Sequence, residues 1–496
     1  MASIRKTKTA SGATAVQVVR YTHARIEILK HIGSARDEAG VAELVRAAQR
    51  WYSENPGEDT LLAALNAETS LVQEGTEFLG VKHGLAYETL STIAEHCGLL
   101  SLADSMLMDL AIIRLVEPTS KLRSLALLEE YFGIHHARST FYSRLEEMLG
   151  RKGEVEQLAV SYARNSLKDG LSLVLYDVTT LYFESFSADE LRVQGFSKDS
   201  KHQQPQVVVG LLVTRDGFPL GYEVFPGNTF EGKTMLPVLD QFMAKHNVTT
   251  STIVADAAML SSTLLEQIVA RKMTYIVAAR LANASDQLLD LVCRRLVRED
   301  GRTVRVKSPH GDMVRSFSSK RYKKDKVTHE KDLAKAKLLV AKGEPGKRAK
   351  FIKGGKQGYA LDLQRIARAE RLWGIKGYCT NIPRTMLDNK RVIARYHDLW
   401  RVEKAFRMTK SDLAARPIFH FTEDPIRIHL LICFMALILA RAAELRTGLS
   451  IRAVVDALWT VTDATLYHPM TNKRVTIRSN IPIQTRTILR KLKVPY

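Results

Sequence analysis

The pattern of apolar and polar residues changes several times along the chain, and each change predicts a different kind of element. Residues 1–85 mix strand-like apolar runs, at 15–19 and 25–29, with a helical stretch around 40–52. Residues 86–168 place their apolar side chains at helical spacing and contain few Gly or Pro residues. The beginning of the chain is therefore expected to form a mixed segment followed by a helical one.

Farther along, short runs of β-branched and apolar residues separated by turn signals predict a sheet. Three strands mostly joined by hairpins are followed by helix, strand, helix and strand; the strands are 172–177, 206–214, 218–225, 252–255 and 274–279, and the helices are 231–246 and 261–271. A further strand at 374–382 precedes helices at 391–416 and 426–446. This order matches the ribonuclease H-like fold, an α/β (α+β) mixed sheet with helices on its faces.

Composition shifts divide the chain into segments. They are an N-terminal region of unassigned role (1–85), a helical region (86–168), the first part of the core (169–282), a basic insertion (283–373), the second part of the core (374–446) and a basic C-terminal tail (447–496). We expect one helix in the insertion, at 330–341, and one in the tail, at 450–460. At 496 residues the chain is long enough for several folding units with buried cores.

The charge of the chain indicates a polyanionic partner. The formal net charge is +20 and the pI is about 9.7, and nucleic acid is the default partner for such a soluble chain. A membrane surface and ribosomal RNA are the alternatives. Residues 294–356 contain 21 Lys or Arg against 7 Asp or Glu and so supply +14 of that charge. We interpret this stretch as a surface for the phosphate backbone, with a loosely ordered solvated lobe as the alternative.

Cysteine usage and hydropathy indicate a cytoplasmic protein. The cysteines Cys97, Cys293, Cys379 and Cys433 form no CxxC pair, which fits a reducing compartment without zinc knuckles or disulfides. No apolar stretch follows the basic N-terminal residues, so no secretory signal is expected. The apolar run 430–440 is too short to span a bilayer and predicts a buried helix, hence no membrane partner.

Residues 124–149 have the outline of a helix-turn-helix. The pattern predicts a helix, a break at Gly133 and a second helix that begins at Ser139 or Thr140. Side chains available for DNA edges or phosphates are Arg138, Thr140, Tyr142 and Arg144. Any helical hairpin gives the same outline, so a purely structural hairpin remains the alternative.

Three acidic residues are candidates for a metal site. Asp177 and Asp256 each follow an apolar run, so their carboxylates are expected at the ends of strands, where open α/β sheets place ligands. Glu403 lies in the predicted helix 391–416. If the three converge, their oxygens suit Mg²⁺, and two such ions would support in-line phosphoryl displacement. The plain alternatives are turn or cap residues and a solvated helix face.

Two further side chains of the predicted helix accompany Glu403. Tyr396, Glu403 and Lys410 recur every seven residues, which would place them on one face of a continuous helix. A carboxylate is then expected between a phenol and an ammonium group.

Several motifs together resemble the DDE transposases of bacterial insertion sequences, in the group with a Tyr-Arg-Glu-Lys signature within the retroviral-integrase-like superfamily. The motifs are YDVTTLYFE, GFSKD, PGNTFEGKT, VADAAMLS, GYCTNI and YHDLWRVEKAFRMTKSDLAARPIFH, and they cover residues 171–446. The resemblance implies a ribonuclease H-like core in which Asp177, Asp256 and Glu403 bind two Mg²⁺ ions, with Mn²⁺ able to substitute. It also implies a homodimer that pairs two transposon ends, cleaves them and joins the 3′-OH to target DNA.

The signature departs from the family pattern at one position, because Leu399 occupies the place of the arginine. Arg407 lies about 40° from Glu403 around an ideal helix and would reach the same DNA. We therefore expect Tyr396, Arg407 and Lys410 to bind the transposon end.

Three rival functions remain. A non-catalytic DNA-binding regulator would share the basic segment and the helix-turn-helix but would not need the three carboxylates. A structure-specific ribonuclease H-like nuclease would share the carboxylates but would not join strands. Residues 227–234, GNTFEGKT, also satisfy the phosphate-binding pattern of P-loop nucleotide hydrolases. An antiparallel strand before this segment, and Glu231 inside it, would argue against that pattern, so no nucleotide cofactor is expected.

Overall fold

A computed structural model describes most of the chain. The described residues are 2–22, 25–54, 76–184, 187–196, 203–248, 251–256, 261–279, 284–308, 311–342, 350–355, 358–469 and 472–496. The chain forms two compact units, Met1–Leu85 with Thr460–Pro482, and Ala86–Trp459 with Ile483–Tyr496.

The first unit contains two small antiparallel sheets. Strands β1 (Ala2–Lys8), β2 (Thr14–Thr22) and β3 (Arg25–Ala35) form one sheet, and helix α1 (Glu38–Glu54) packs on it through Val16, Val18 and Ala48. Strand β4 (Glu77–Lys82) pairs with β15 (Asp463–His468), which pairs in turn with β16 (Lys473–Arg478). We had assigned β15 and β16 to a basic tail, because both strands are only six residues long and β15 pairs with a strand that is distant in sequence.

The second unit begins with the predicted helical region. Its helices are α2 (Gly84–His96), α3 (Ser105–Val116), α4 (Lys121–Phe132), α5 (Arg138–Ser143), α6 (Leu145–Gly150) and α7 (Lys152–Ser166). The break falls at Gly133, as expected, and its φ of 74° is readily adopted only by glycine. The second helix of the predicted pair is shorter than expected, because Arg144 leaves helical geometry and separates α5 from α6.

A mixed eight-stranded sheet in the described residues organises the rest of the unit. The strands predicted first are β5 (Leu173–Tyr182), β6 (Gln206–Thr214), β7 (Pro219–Pro226), β8 (Thr252–Ala255) and β9 (Thr274–Ala278). They lie in the order β7-β6-β5-β8-β9; the pairs from β7 to β5 are antiparallel, and β5, β8 and β9 are parallel. Helices α8 (Met235–His246) and α9 (Ser262–Ala270) form the connections between β7, β8 and β9.

The described part of the basic insertion contains more helices and strands than the sequence predicted. It forms α10 (Asp286–Arg295), β10 (Thr303–Ser308), β11 (Gly311–Phe317), α11 (Ser319–Ala341), β12 (Ile352–Gly355), β13 (Gly358–Leu361) and α12 (Leu363–Arg371). Strands β10 and β11 extend the large sheet beyond β14 (Ile375–Thr380), which pairs with β9. Their short apolar alternation was obscured by the surrounding Lys and Arg residues. A loosely ordered lobe is therefore the wrong description of these strands and helices.

The remaining helices follow β14; the first three contact the sheet, and the last two pack on the third of them. They are α13 (Asn389–His397), α14 (Trp400–Arg407), α15 (Glu423–Thr447), α16 (Ile451–Trp459) and α17 (Ile483–Leu492). Among the described residues, α15 is the one helix long and apolar enough to cross a bilayer, and 94% of its apolar window is buried inside the protein. We therefore assign α15 as the core helix that the sequence predicted.

Candidate active site

The pairing of β5 with β8 brings Asp177 and Asp256 to equivalent positions. Leu175 pairs with Val254 in a parallel register, and each aspartate lies two residues farther along its own chain. Neighbouring strands are about 4.8 Å apart, and residues paired in parallel strands face the same side of a sheet. The register therefore carries both carboxylates to the same edge and face of the sheet.

The position of Asp177 within its strand differs from the prediction. The sequence placed it at the end of a short strand, but β5 continues to Tyr182, because residues 178–182 are β-branched, leucine or aromatic. Asp256, by contrast, directly follows the last residue of β8, as expected. Asp177 thus lies inside a long central strand, at the level where the shorter neighbouring strand ends.

The predicted single helix 391–416 is wrong in detail, because the structure divides it. Helix α13 ends at His397, α14 begins at Trp400, and a π-helical turn, Met408–Asp412, follows. The first break coincides with Asp398, which accepts a hydrogen bond from Arg215 at 2.9 Å. Sequence periodicity does not show such tertiary contacts. The one-face argument for Tyr396, Glu403 and Lys410 therefore does not hold as stated.

Tyr396 nevertheless reaches the acidic site by a direct contact. Its hydroxyl donates a hydrogen bond to Oδ1 of Asp256 at 3.2 Å, and the residue is only 7% exposed. Burial raises the pKa of Tyr396, and the charge of Asp256 raises it further, so the phenol remains a proton donor at physiological pH. The hydrogen bond gives the Tyr396 hydroxyl a partner in Asp256, and the DNA contact that we predicted for this residue stays a prediction.

The segment that carries Glu403 is attached to the sheet on both sides. Before it, Tyr396 binds Asp256; after it, the backbone N–H of Ile418 donates to the carbonyl of Tyr182 at the end of β5, at 3.1 Å. Between these attachments α14 packs against β5 and β6, and Glu403 is exposed. These contacts keep Glu403 beside the strands that carry the two aspartates.

The pKa of Lys376, in β14, is shifted by several charged groups near this site. Burial and the nearby Arg321 lower the pKa of Lys376, whereas Asp256 and Glu403 raise it. The two carboxylates therefore act on the same ammonium group, which places them in one neighbourhood. Sequence reasoning missed Lys376, although a lysine in the buried strand IKGYCT was a usable signal.

The carboxylate oxygens of the three acids are of the type that binds a hard cation, but the three side chains do not form a metal-binding cluster in this structure. Within the described ranges, no group of three or more His, Cys, Asp or Glu side chains is close enough to hold a metal ion. Asp177, Asp256 and Glu403 offer carboxylate oxygens, which are the ligands preferred by Mg²⁺. The chemistry of these residues thus fits divalent-ion binding, and their role as metal ligands stays a prediction.

The other predicted DNA-contacting residues lie in two places. Arg407 is exposed at the end of α14, and Lys410 is partly buried in the π-helical turn. In the helical region, the Arg138 guanidinium lies over the Tyr142 ring at 5.7 Å, and both residues are exposed. Their proposed DNA contacts stay predictions.

Thr140 and Arg144 are less accessible to DNA than Arg138 and Tyr142. Thr140 is partly buried. The Arg144 guanidinium is bound by Asp104 and Glu147, each at 3.0 Å. Any DNA contact by Arg144 would have to compete with these carboxylates.

The P-loop alternative does not fit the described contacts. The strand before residues 227–234 is β7, which pairs antiparallel with β6. The Thr234 hydroxyl, which would face Mg²⁺ in a P-loop, is buried; it accepts from Tyr176 at 2.8 Å and donates to the Glu231 carbonyl at 2.7 Å. This segment is a turn that leads into α8 and not a phosphate cradle.

Comparison with known proteins gives three findings. The family model described as "Transposase DDE domain" matches residues 168–439, which is more than half of the chain. No curated protein matches. A solved structure of the piggyBac transposase synaptic complex with hairpin DNA shows 9% sequence identity and a TM-score of 0.37, over 85% of this chain and 82% of that one. On the family match, the chain belongs to the DDE transposases, a family of DNA transposases.

Proposed function

We propose that this protein binds the ends of its own insertion sequence, cleaves them and joins the released 3′-OH to target DNA. The observation that carries the proposal is the β5–β8 register, which aligns Asp177 with Asp256, together with the Tyr396 hydrogen bond that brings the Glu403 segment to them. The strand order β7-β6-β5-β8-β9, with its antiparallel and parallel pairs, further supports a ribonuclease H-like core.

Asp177, Asp256 and Glu403 would hold the divalent ions, two Mg²⁺ per site with Mn²⁺ as a substitute. When bound, these ions would supply Lewis-acid activation of the attacking oxygen and charge stabilisation at the leaving oxygen. The protein itself orients the acids: β5 and β8 fix the aspartates, and the Tyr396 hydroxyl fixes one oxygen of Asp256. No protein nucleophile is needed, because water attacks first and a DNA 3′-OH attacks second.

The net charge of +20 supports double-stranded DNA as the partner. Much of this charge lies in the insertion, where α11 carries exposed Lys320, Lys323, Lys324 and Lys326. We propose that two copies of the chain pair the two ends, and that the protein acts in the cytoplasm at the nucleoid.

A cleavage and joining assay tests this function. Full-length protein is incubated with Mg²⁺ and duplexes that carry the terminal sequences flanking its reading frame, and a plasmid serves as target. The proposal predicts end-specific cleavage followed by joined products. Cleavage without joining would indicate a nuclease, and binding without either product would indicate a regulator; both results would overturn the proposal.

A further inference from the structure

Lys376 has a side chain that the proposed chemistry leaves without a role. It is the one residue of β14 that is not buried, and its ammonium nitrogen lies 4.9 Å from the centroid of the Tyr396 ring and 5.5 Å from that of Tyr378. Lys376 and Tyr378 are two residues apart on one strand and so share a face of the sheet. The ammonium group therefore lies against two aromatic rings, and one of them, Tyr396, binds Asp256 through its hydroxyl.

The ammonium group is close to the acids but is not neutralised by a direct contact. Asp256 and Glu403 act on it at a distance, and in the part of the chain that the structure describes no carboxylate forms an ion pair with it. A second cation, Arg321 in the first turn of α11, lies near enough to lower the pKa of Lys376. The Arg321 guanidinium is 46% exposed and 3.3 Å from Asp325.

Two cations border the acidic site: Arg321, which pairs with Asp325, and Lys376, which has no such pair within the described residues. A DNA strand that approaches Asp177, Asp256 and Glu403 brings phosphates towards carboxylates of the same sign, and this repulsion must be offset. Lysine is a common phosphate ligand because its ammonium is a compact charge on a flexible stem. The position of Lys376, beside the acids and partly open to solvent, meets this requirement.

We propose that Lys376, assisted by Arg321, binds one backbone phosphate of the transposon end and so holds the strand against the acidic site. The inference rests on the proposed function, since it names the substrate group that this site receives. A role as a fixed counter-charge for Asp256 and Glu403 alone is the competing explanation. The two explanations differ in whether Lys376 interacts with a particular phosphate.

A double-mutant cycle between protein and DNA distinguishes phosphate binding by Lys376 from a role as a fixed counter-charge. Binding of full-length protein to an end duplex is measured by fluorescence anisotropy without divalent ions, so that no cleavage occurs. Neutral methylphosphonate replaces the phosphate at one terminal position at a time, on either strand. The proteins are wild type, Lys376→Met, Lys376→Arg and the control Lys168→Met. Lys168 is an exposed lysine that precedes the first residue of β5.

We expect Lys376→Met to weaken binding of the native duplex about fivefold and to reduce the salt dependence by about one unit. At one position, methylphosphonate should weaken binding by wild type, Lys376→Arg and Lys168→Met but not by Lys376→Met. Equal losses for Lys376→Met and wild type at every position would overturn the inference. If Lys376→Met does not unfold cooperatively on heating, it is not properly folded, and Lys376→Gln replaces it in the binding measurements.

Failure of the inference is distinguishable from failure of the proposed function. Additive binding losses together with normal cleavage and joining would contradict the role of Lys376 alone. Wild-type protein that yields no cleaved product with Mg²⁺ would contradict the proposed function, and the binding cycle would still be readable.

Discussion

The hydroxyl of Tyr396 lies 3.2 Å from Oδ1 of Asp256 and donates a hydrogen bond to it. This contact joins the helix that precedes Glu403 to the strand end that carries Asp256. It gives Tyr396 a positioning role, because the phenol is buried and its proton is directed at a carboxylate.

Tyr396→Phe should therefore slow cleavage while leaving end binding nearly unchanged. A hydrogen bond to a charged group contributes about 1.5–3 kcal/mol, so the single-turnover cleavage rate should fall at least about tenfold. Tyr131→Phe is the matched control, since it removes a 2.7 Å hydrogen bond to Glu117 in the helical region. An unchanged rate for Tyr396→Phe, or a comparable loss for the control, would count against the positioning role.

Lys410→Glu should weaken binding of the transposon end. Lys410 is in the π-helical turn directly after α14, where a reversed charge would repel a nearby phosphate. We expect binding to fall about tenfold and the slope of log affinity against log salt to fall by about one unit. Lys168→Glu changes the net charge equally and serves as the control. Equal effects of the two variants would refute a specific contact at Lys410.

Glu444→Gln should destabilise the protein. Glu444 is 8% exposed in the core helix; it accepts from Lys404 at 2.8 Å and also pairs with Arg441. Breaking such a buried network should lower the free energy of unfolding by about 3 kcal/mol, measured by denaturant titration.

The matched control is Glu423→Gln in the same helix, where an exposed pair with Arg427 should contribute less than about 1 kcal/mol. A smaller loss for Glu444→Gln than for Glu423→Gln would show that this network does not stabilise the attachment of α14.

Stability should rise with pH above neutrality because of Lys121. Burial, and then the charge of Arg114, lowers the pKa of Lys121 from 10.5 to about 7. Lys121 contacts His429 at 3.1 Å; burial lowers the pKa of His429 and of nearby His420, so both imidazoles are neutral at pH 7. Between about pH 7 and 10.5 the unfolded chain binds the proton that the folded protein lacks, so raising the pH favours folding.

The variant Lys121→Met isolates this effect. From pH 7 to pH 9 the wild-type free energy of unfolding should increase by about 2 kcal/mol relative to the variant, measured by urea titration at each pH. Parallel pH profiles for the two proteins would show that Lys121 is charged in both states or in neither.

Much of the core could be predicted from local sequence, because its strands consist of dense runs of β-branched residues. The segments QVVVGLLVT and TIVA were placed correctly, and so was the turn at Gly133. The alignment of Asp177 with Asp256 was expected only as convergence at strand ends. The register itself depends on pairing between distant segments, which no local pattern encodes.

Tertiary contacts decided what the sequence could not predict. Asp398 pairs with Arg215 and Arg401, and this pairing accompanies the break between α13 and α14. The backbone N–H of Leu413 reaches back five residues to the Met408 carbonyl, a π-type bond that period-based reasoning does not anticipate. Lys376 escaped notice because its partners, Tyr396 and Arg321, are distant in sequence.

The central claim is that Asp177, Asp256 and Glu403 form one metal-dependent cleavage site. It is tested most directly by single-turnover cleavage of end duplexes with Mg²⁺ by Asp177→Asn, Asp256→Asn and Glu403→Gln, with Asp240→Asn, an exposed partner of Arg271, as control. Each of the three variants should cleave about a thousandfold more slowly or not at all and bind the end duplex within about threefold of wild type, while the control cleaves normally. Near-wild-type cleavage by any one of the three would contradict the account.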